Sequence, residues 1–374
     1  MKELYNDLMA LCTDEARFFY RDDTTPAGTH FRTFSYHYAS YEDWLKPGAL
    51  ECRGIMFELI NGEPVRIASR PMEKFFNLNE TPFTMNLDLT KAQYMMSKED
   101  GSLVSTYMDG DKLRFKSKTS ITSEQALAAN AMLMDSRNEA LVHTLLELAQ
   151  AGFTANFEYV APTNRVVLDY PEKALILLNV RYNDTGEYIP YDDLMSDGVL
   201  RQFMVEAFEV PKGDFVKEIK ARTGIEGFVF LMDDGLHFKL KTDWYCALHH
   251  TKDSINASDR LFESIVNNAS DDLKAMFSDD AAAVAKINQF EAIYMSYLHN
   301  ALELINGFYN SNRGKDRKTY AGDAQVACNK AGLGFLFSIV MKAYSGQLDD
   351  DTMLTKVNEF FMKNVKTFIP KEFI

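Results

Sequence analysis

The chain has 374 residues, with 40 Lys or Arg against 54 Asp or Glu, a formal charge of −14. That balance excludes a generic nucleic-acid coat, whose cations would outnumber its acids to neutralise phosphates. An apolar content of 46% with 27 Phe excludes intrinsic disorder, and the length suggests roughly two domains, each able to bury a core.

Cys12, Cys52, Cys246 and Cys328 stand far apart without CxxC spacing, so neither a zinc ribbon nor a disulfide framework is expected. The opening stretch MKELYNDLMALCTDEARFF is amphipathic and acidic where a signal peptide would be continuously apolar. No run of about 18 apolar residues occurs, so a cytoplasmic protein with no membrane partner is expected. Residues 1–254 carry 27 basic and 39 acidic side chains, net −12, and residues 255–374 carry 13 and 15, net −2. Any nucleic acid must therefore be met by local basic sites, because the overall field repels it.

From about residue 50 to 245, short β-type runs alternate with turn residues. GIMFELI, NGEP and VRIAS form a strand, a turn and a strand, with Asn61-Gly62 as the hairpin signal. AQYMMS is followed by SLVSTYM, DGD and KLRFKSK, which repeat that grammar around Asp109-Gly110. The segment SEQALAANAMLMDSRNEALVHTLLELAQAG has apolar residues at three- and four-residue spacing and predicts a helix ending at Gly152. ALILLNVRY and EGFVFLM are apolar strands and LHFKLK an alternating one. The class is α+β with antiparallel sheets. After about residue 254 nearly every segment has helical periodicity. The expected organisation is a catalytic domain over residues 1–254 and an all-α C-terminal domain over residues 255–374.

Chemistry concentrates around Lys98-Glu99-Asp100-Gly101-Ser102, between AQYMMS and LVSTYMD. Alone, a lysine before Asp-Gly reads as a solvated turn. Three later groups change that reading: Phe157-Glu158-Tyr159 closes an apolar strand, Ile225-Glu226-Gly227-Phe228 opens another, and Lys239-Leu240-Lys241 ends LHFKLK. Alternation puts Lys239 and Lys241 on one sheet face and Phe238 and Leu240 on the other. Two like charges side by side need an anionic partner or water.

This ordered set, KxDG, FE, EG and KxK, resembles the covalent nucleotidyltransferase superfamily of ATP-dependent ligases and RNA capping enzymes. The resemblance implies that Lys98 attacks the α-phosphate of ATP and carries AMP as a phosphoramidate. An amine attacks only when neutral, a form that neighbouring cations favour, and Lys239 and Lys241 would also stabilise charge on the phosphate in transit. Glu158 and Glu226 would hold the ribose hydroxyls and a magnesium ion with its waters, manganese serving as a substitute.

Upstream, ECRGIMFE (51–58) and MEKFFN (72–77) resemble the leading motifs of the bacteriophage RNA ligase 1 family. SRPMEKFFNLNE, KEDGSLVSTY, FTANFEYVAPTNR, SDDLKAM and GKDRKTYA extend the likeness over essentially the whole chain. It implies Lys98, Glu158 and Tyr245 as catalytic residues. It places Tyr36 by the nucleotide, Arg53 and Lys74 on the triphosphate, Lys118 in the KSKTS motif among the ATP contacts, and Val229 against the adenine.

Simpler readings stay open at several positions. Arg53 and Lys74 also suit surface salt bridges, Tyr36 in FSYHY suits core packing, and Glu158 suits a buried pair with an arginine. The resemblance gives Asp271 to a divalent cation, whereas Ser270-Asp271-Asp272 alone reads as a helix N-cap and first turn. The metal ligands are thus open between Glu158, Glu226 and Asp271.

In the tail, Arg313, Lys315, Arg317 and Lys318 precede Tyr320. They read either as a solvated loop or as a phosphate-contacting patch, with Tyr320 stacking on a base if exposed. No GxxxxGK[ST] loop occurs, and no alternating strands after residue 255 suggest the small β-barrel of DNA ligases. The expectation is a monomeric ATP-dependent RNA ligase joining 5′-phosphate and 3′-hydroxyl ends. The resemblance implies tRNA cut in the anticodon loop during phage infection as substrate, with an end-healing kinase-phosphatase upstream. A GTP-using capping guanylyltransferase and a non-catalytic RNA-binding relative are the alternatives.

Overall fold

A computed structural model describes residues 1–13, 17–164, 167–249, 255, 257–277, 280–346 and 350–373. They fall into two compact units, one of residues 1–13 and 18–249 and one whose described residues are Arg17 and those between 255 and 373. The expected boundary after residue 254 lies at residues outside the described set.

The first unit carries thirteen described strands: β1 (Phe18–Thr24), β2 (His30–Tyr36), β3 (Met56–Ile60), β4 (Glu63–Ser69), β5 (Phe76–Asn77), β6 (Ala92–Lys98), β7 (Ser102–Asp109), β8 (Lys112–Ser117), β9 (Phe153–Val160), β10 (Ala174–Tyr182), β11 (Ala207–Phe208), β12 (Gly227–Met232) and β13 (His237–Lys241). They form three sheets in the orders β1-β2-β3-β4, β10-β9-β7-β8 and β11-β6-β12-β13-β5. Every pairing is antiparallel except the two-residue contact of β13 with β5.

Local chemistry explains the turns. Ile60 faces Glu63 across the β3–β4 turn, and both central residues, Asn61 at φ 53° and Gly62 at φ 83°, have the positive φ that a type I′ hairpin requires. β1 and β2 were not legible in the sequence, because Arg21, Asp22 and Asp23 in β1 break the apolar alternation. The single helix expected before Gly152 is two, Glu124–Leu133 and Glu139–Gln150. Between them the Asp135 side chain accepts the Arg137 N–H and starts a separate short turn. Ser123 caps the first helix and Gly152, at φ 86°, follows the second. Leu141 and Leu145 of the second helix pack with Val104, Phe115 and Phe157 of the sheet.

The regular secondary structure among the second unit's described residues is all helical. Helices Ser258–Val266, Ala281–Leu302, Arg317–Lys330, Phe337–Tyr344 and Asp350–Lys363 are its longest. Ile287, Phe290, Tyr294, Tyr297, Leu298 and Ala301 keep three- and four-residue spacing on the long helix, and all are buried. No helix among the described residues is long and apolar enough to cross a membrane.

One glycine controls the third sheet. β12 lies between β6 and β13, and Gly227 pairs with Lys98 on one side and Lys241 on the other. Its φ is 152°, and a Cβ there would stand 2.1 Å from the Leu240 carbonyl oxygen and 2.7 Å from the Lys241 Cα. Gly227→Ala should therefore destabilise the first unit by about 2–4 kcal/mol through strain and backbone overlap, read from urea unfolding followed in that unit. An unchanged midpoint would contradict the register described.

Candidate active site

Directly opposed residues on paired strands project to the same side. The register aligns Lys98 with Gly227 and Lys241, and Met96 with Val229 and Lys239. Lys98, Val229, Lys239 and Lys241 therefore share one face of the third sheet. The other face is core, where Phe230 stacks on Phe238 at 4.8 Å beside Phe228 and Leu240.

Lys98 and Lys241 lie two strand spacings apart, roughly 10 Å between backbones. Glu226 spans that gap: its Oε1 is 2.9 Å from each Nζ, and the residue is 2% exposed. For Lys241, one of the two lysines paired in the KxK motif, the anionic partner thus comes from the chain itself. Lys241 also sits 5.0 Å from the centre of the Tyr245 ring.

Tyr245 is buried and donates its hydroxyl to Asp100 Oδ1 at 2.7 Å. Burial raises its phenol above the usual range, with the Glu226 charge adding to the effect. Asp100 Oδ2 accepts the backbone N–H groups of Val167 and Leu168 at 2.7 and 2.6 Å. The Asp100 N–H donates to the Tyr170 hydroxyl, which donates to Glu99. Asp100 is thus a buried brace, a role hidden from sequence because Asp-Gly is a common turn pair.

Gly101 brings this loop against the second sheet. A Cβ there would stand 2.4 Å from the Tyr159 carbonyl oxygen, and its N–H donates to Glu158 Oε1 at 3.1 Å. Desolvation pushes the Glu158 carboxyl up to about 7, with Glu226 adding to the rise while Lys98 and Arg53 oppose it. The arginine partner considered for Glu158 is therefore an electrostatic neighbour, and its hydrogen bond goes to the backbone.

A cavity of about 610 Å³ opens here, its wall including Arg53, Phe75, Lys98, Glu158, Val229 and His237. Four of these were candidates from sequence. Phe75 and His237 were not, although the doubled aromatic in MEKFFN was the available signal for the first. Burial pulls His237 down to about 4, so it is a neutral ring at physiological pH.

Tyr36 organises the remaining cations. Lys118 Nζ is 4.5 Å and Lys74 Nζ 5.5 Å from the centre of its ring, and Lys74 also lies 5.6 Å from Trp44 and 5.2 Å from Phe76. Tyr36 packs on Trp44 as well, so core and cation contacts coexist. Burial lowers the Lys118 amine, and Arg53 and Lys74 lower it further. Lys74 has an aromatic surround, and Arg53 donates to the Met72 carbonyl at 3.3 Å with its guanidinium 5.7 Å from the Phe75 ring. Sequence reasoning missed Glu51, which receives both Arg70 and Arg181, at 2.8 and 2.7 Å, two residues before Arg53.

In the second unit, Asp271 lies in the first turn of helix Ser270–Met276, whose N-cap is Ala269 and not the expected Ser270. Its Oδ1 accepts the Asp272 N–H at 3.0 Å. Among the described residues no three His, Cys, Asp or Glu converge as a metal-binding group. Arg313, Lys315, Arg317 and Lys318 are exposed, and Asp316 caps the helix through the N–H groups of Lys318 and Thr319. Tyr320 corrects the sequence reading. It is fully buried, donates to the Val340 carbonyl and packs against Phe308 and Tyr344, so it is not free to stack on a base.

Lys98 and Glu158 line a cavity in an antiparallel-sheet unit, with Glu226 bridging Lys98 to Lys241, an arrangement of the kind a nucleotidyltransferase needs. A family model described as RNA ligase matches residues 51–245, and one described as T4 RNA ligase 1, C-terminal domain, matches residues 252–373. RNA ligase 1 of bacteriophage TS2126 is 32% identical over 224 residues, 56% of this chain and 54% of that protein. A Thermovibrio ammonificans protein with a provisional RNA-ligase name is 28% identical over 282 residues, 72% of this chain and 73% of its own. A solved archaeal ATP-dependent RNA ligase aligns over 81% of this chain and 79% of its own at 13% identity with a TM-score of 0.48, too distant a likeness to bear on chemistry. The chain belongs to the T4 RNA ligase 1-like family of RNA ligases.

Because Glu158 keeps its proton up to about pH 7 in the folded chain and releases it near 4.5 when unfolded, the native state binds the extra proton between those values. Stability must fall as pH rises through that window. Glu158→Gln should remove a decline on the order of 1–3 kcal/mol between pH 4.5 and 7.5, measured as the difference in Tm against pH between the two proteins. Parallel curves would contradict the environment described for Glu158.

Proposed function

We propose that this RNA ligase is ATP-dependent and works through a lysyl-AMP intermediate on Lys98. The observation that carries the reading is the placement of Lys98 on the cavity wall, in contact with Glu226 and, through it, linked to Lys241. In the first step a bond forms between Lys98 Nζ and the α-phosphorus as the bond to pyrophosphate breaks. The amine gives up its proton toward Glu226, 2.9 Å away. AMP then passes to an RNA 5′-phosphate, and a 3′-hydroxyl attacks that phosphate, seals the strand and releases AMP.

Arg53, Lys74 and Lys118 act on the triphosphate, Tyr36 holds the latter two in place, and Lys239 and Lys241 stabilise the phosphate in transit. Val229 and the neighbouring aromatic rings receive the adenine. Glu158 binds a ribose hydroxyl, and Tyr245 serves the ligation steps. A divalent ion, magnesium or manganese, neutralises phosphate charge when bound. Glu158 fits it, since desolvation and the Glu226 charge leave its carboxylate form in need of a cation; Asp271, in the second unit, is a separate candidate cation contact. The substrate is tRNA broken in the anticodon loop, its ends healed by a kinase-phosphatase in the cytoplasm of a phage-infected cell. The monomer meets the RNA through the exposed cations at 313–318.

Incubation with α-labelled ATP followed by denaturation should leave label on the protein, released by acid or hydroxylamine. Lys98→Ala should abolish it, and Lys241→Ala should reduce it by about tenfold or more, a loss equivalent to one charge-assisted contact. Arg317→Ala with Lys318→Ala should weaken RNA binding and spare the label. Label retained from GTP and not from ATP would overturn the ligase mechanism in favour of a capping guanylyltransferase.

A further inference from the structure

Lys116 is fully buried within the first unit, on β8, yet it is absent from the cavity wall. Its Nζ donates to two main-chain carbonyls, Gly54 at 2.7 Å and Lys118 at 3.4 Å. Burial pulls its amine down to about 7, with Asp23 the one charge opposing the fall. A neutral amine still carries two hydrogens, enough for both carbonyls. Lys116 therefore serves both carbonyls as a hydrogen-bond donor in either protonation state.

The two carbonyls belong to segments that carry like charges. Gly54 follows Arg53 directly, and the Arg53 charge is among those that depress the Lys118 amine. These segments nonetheless touch: a Cβ on Gly54, at φ 100°, would lie 2.5 Å from the Lys118 carbonyl oxygen and 3.4 Å from Lys116 Nζ. An apolar side chain at 116 would fill the space and leave both carbonyls without this donor, removing the tie between segments whose side chains repel.

We propose that Lys116 is a positioning residue for the triphosphate site, its amine pinning the Gly54 and Lys118 backbones together so that Arg53 and Lys118 are held at a fixed spacing. The inference rests on the reading of Arg53 and Lys118 as triphosphate contacts. Lys116 acts through them and touches no substrate. A merely structural lysine would support nucleoside and triphosphate binding alike, whereas a spacer of these two cations acts on the phosphates alone.

The test is calorimetric binding of AMP and of a non-hydrolysable ATP analogue to the full chain and to Lys116→Met and Lys118→Ala. Lys116→Met should weaken the ATP analogue by about tenfold and AMP by less than about twofold, with Lys118→Ala showing the same selectivity. Equal losses for both ligands, or no loss, in Lys116→Met while Lys118→Ala remains selective would overturn the proposal and leave the triphosphate reading intact. A Lys118→Ala protein that shows no selectivity would overturn the reading and the proposal with it. Should Lys116→Met not fold, Gly54→Ala, which forces the same two backbones apart, carries the same pair of outcomes.

Discussion

Glu226 shared between Lys98 and Lys241 is the interaction on which the site depends. Two lysines on one sheet face repel, and a single buried carboxylate at 2.9 Å from each lets both stand there without substrate. The arrangement needs the backbone of β12 to pass between them closely, and Gly227 permits that approach. Once those strands are in register, alternation alone sends Phe228, Phe230, Phe238 and Leu240 into the core and the lysines toward the cavity side. The burial that stabilises the sheet and the alignment of the chemistry are one event.

Several other polar groups of the first unit are held by the chain itself before any ligand arrives. Asp100 fixes the loop after Lys98 and the Tyr245 hydroxyl. Glu51 clamps Arg70 and Arg181 beside Arg53, where burial pushes its carboxyl up and the two arginines outweigh that to hold it low. Tyr36 and Trp44 give Lys74 and Lys118 aromatic faces in place of carboxylates. Such contacts limit the reorganisation needed when phosphate charge enters, which is where preorganised electrostatics act. The net charge of −14 is compatible with a phosphate substrate because these cations are local and individually placed.

Much of this was legible in the sequence where a short-period signal coincided with a chemical one. The Asn61-Gly62 hairpin, the alternation in LHFKLK and the helical spacing of the tail each follow from local rules, and the structure keeps them. The ordered KxDG, FE, EG and KxK motifs marked Lys98, Glu158, Glu226 and Lys241, which the fold brings together. What the sequence hid was long-range. Asp100 looked like a turn residue because its partners are 67 or more positions away. Glu51 and Lys116 are charged residues whose burial depends on packing between sheets that no single strand encodes. Tyr320 beside four cations suggested a stacking platform, but its place on the helix, four residues after its cap, turns it into the core.

The most direct test of the central claim is peptide mapping by mass spectrometry after incubation of the chain with ATP and a divalent cation, without RNA. Placing the nucleophile on β6, in register with Gly227 and Lys241, predicts one added AMP, located on Lys98. An AMP mapped to Lys239, Lys241 or any other residue would contradict it.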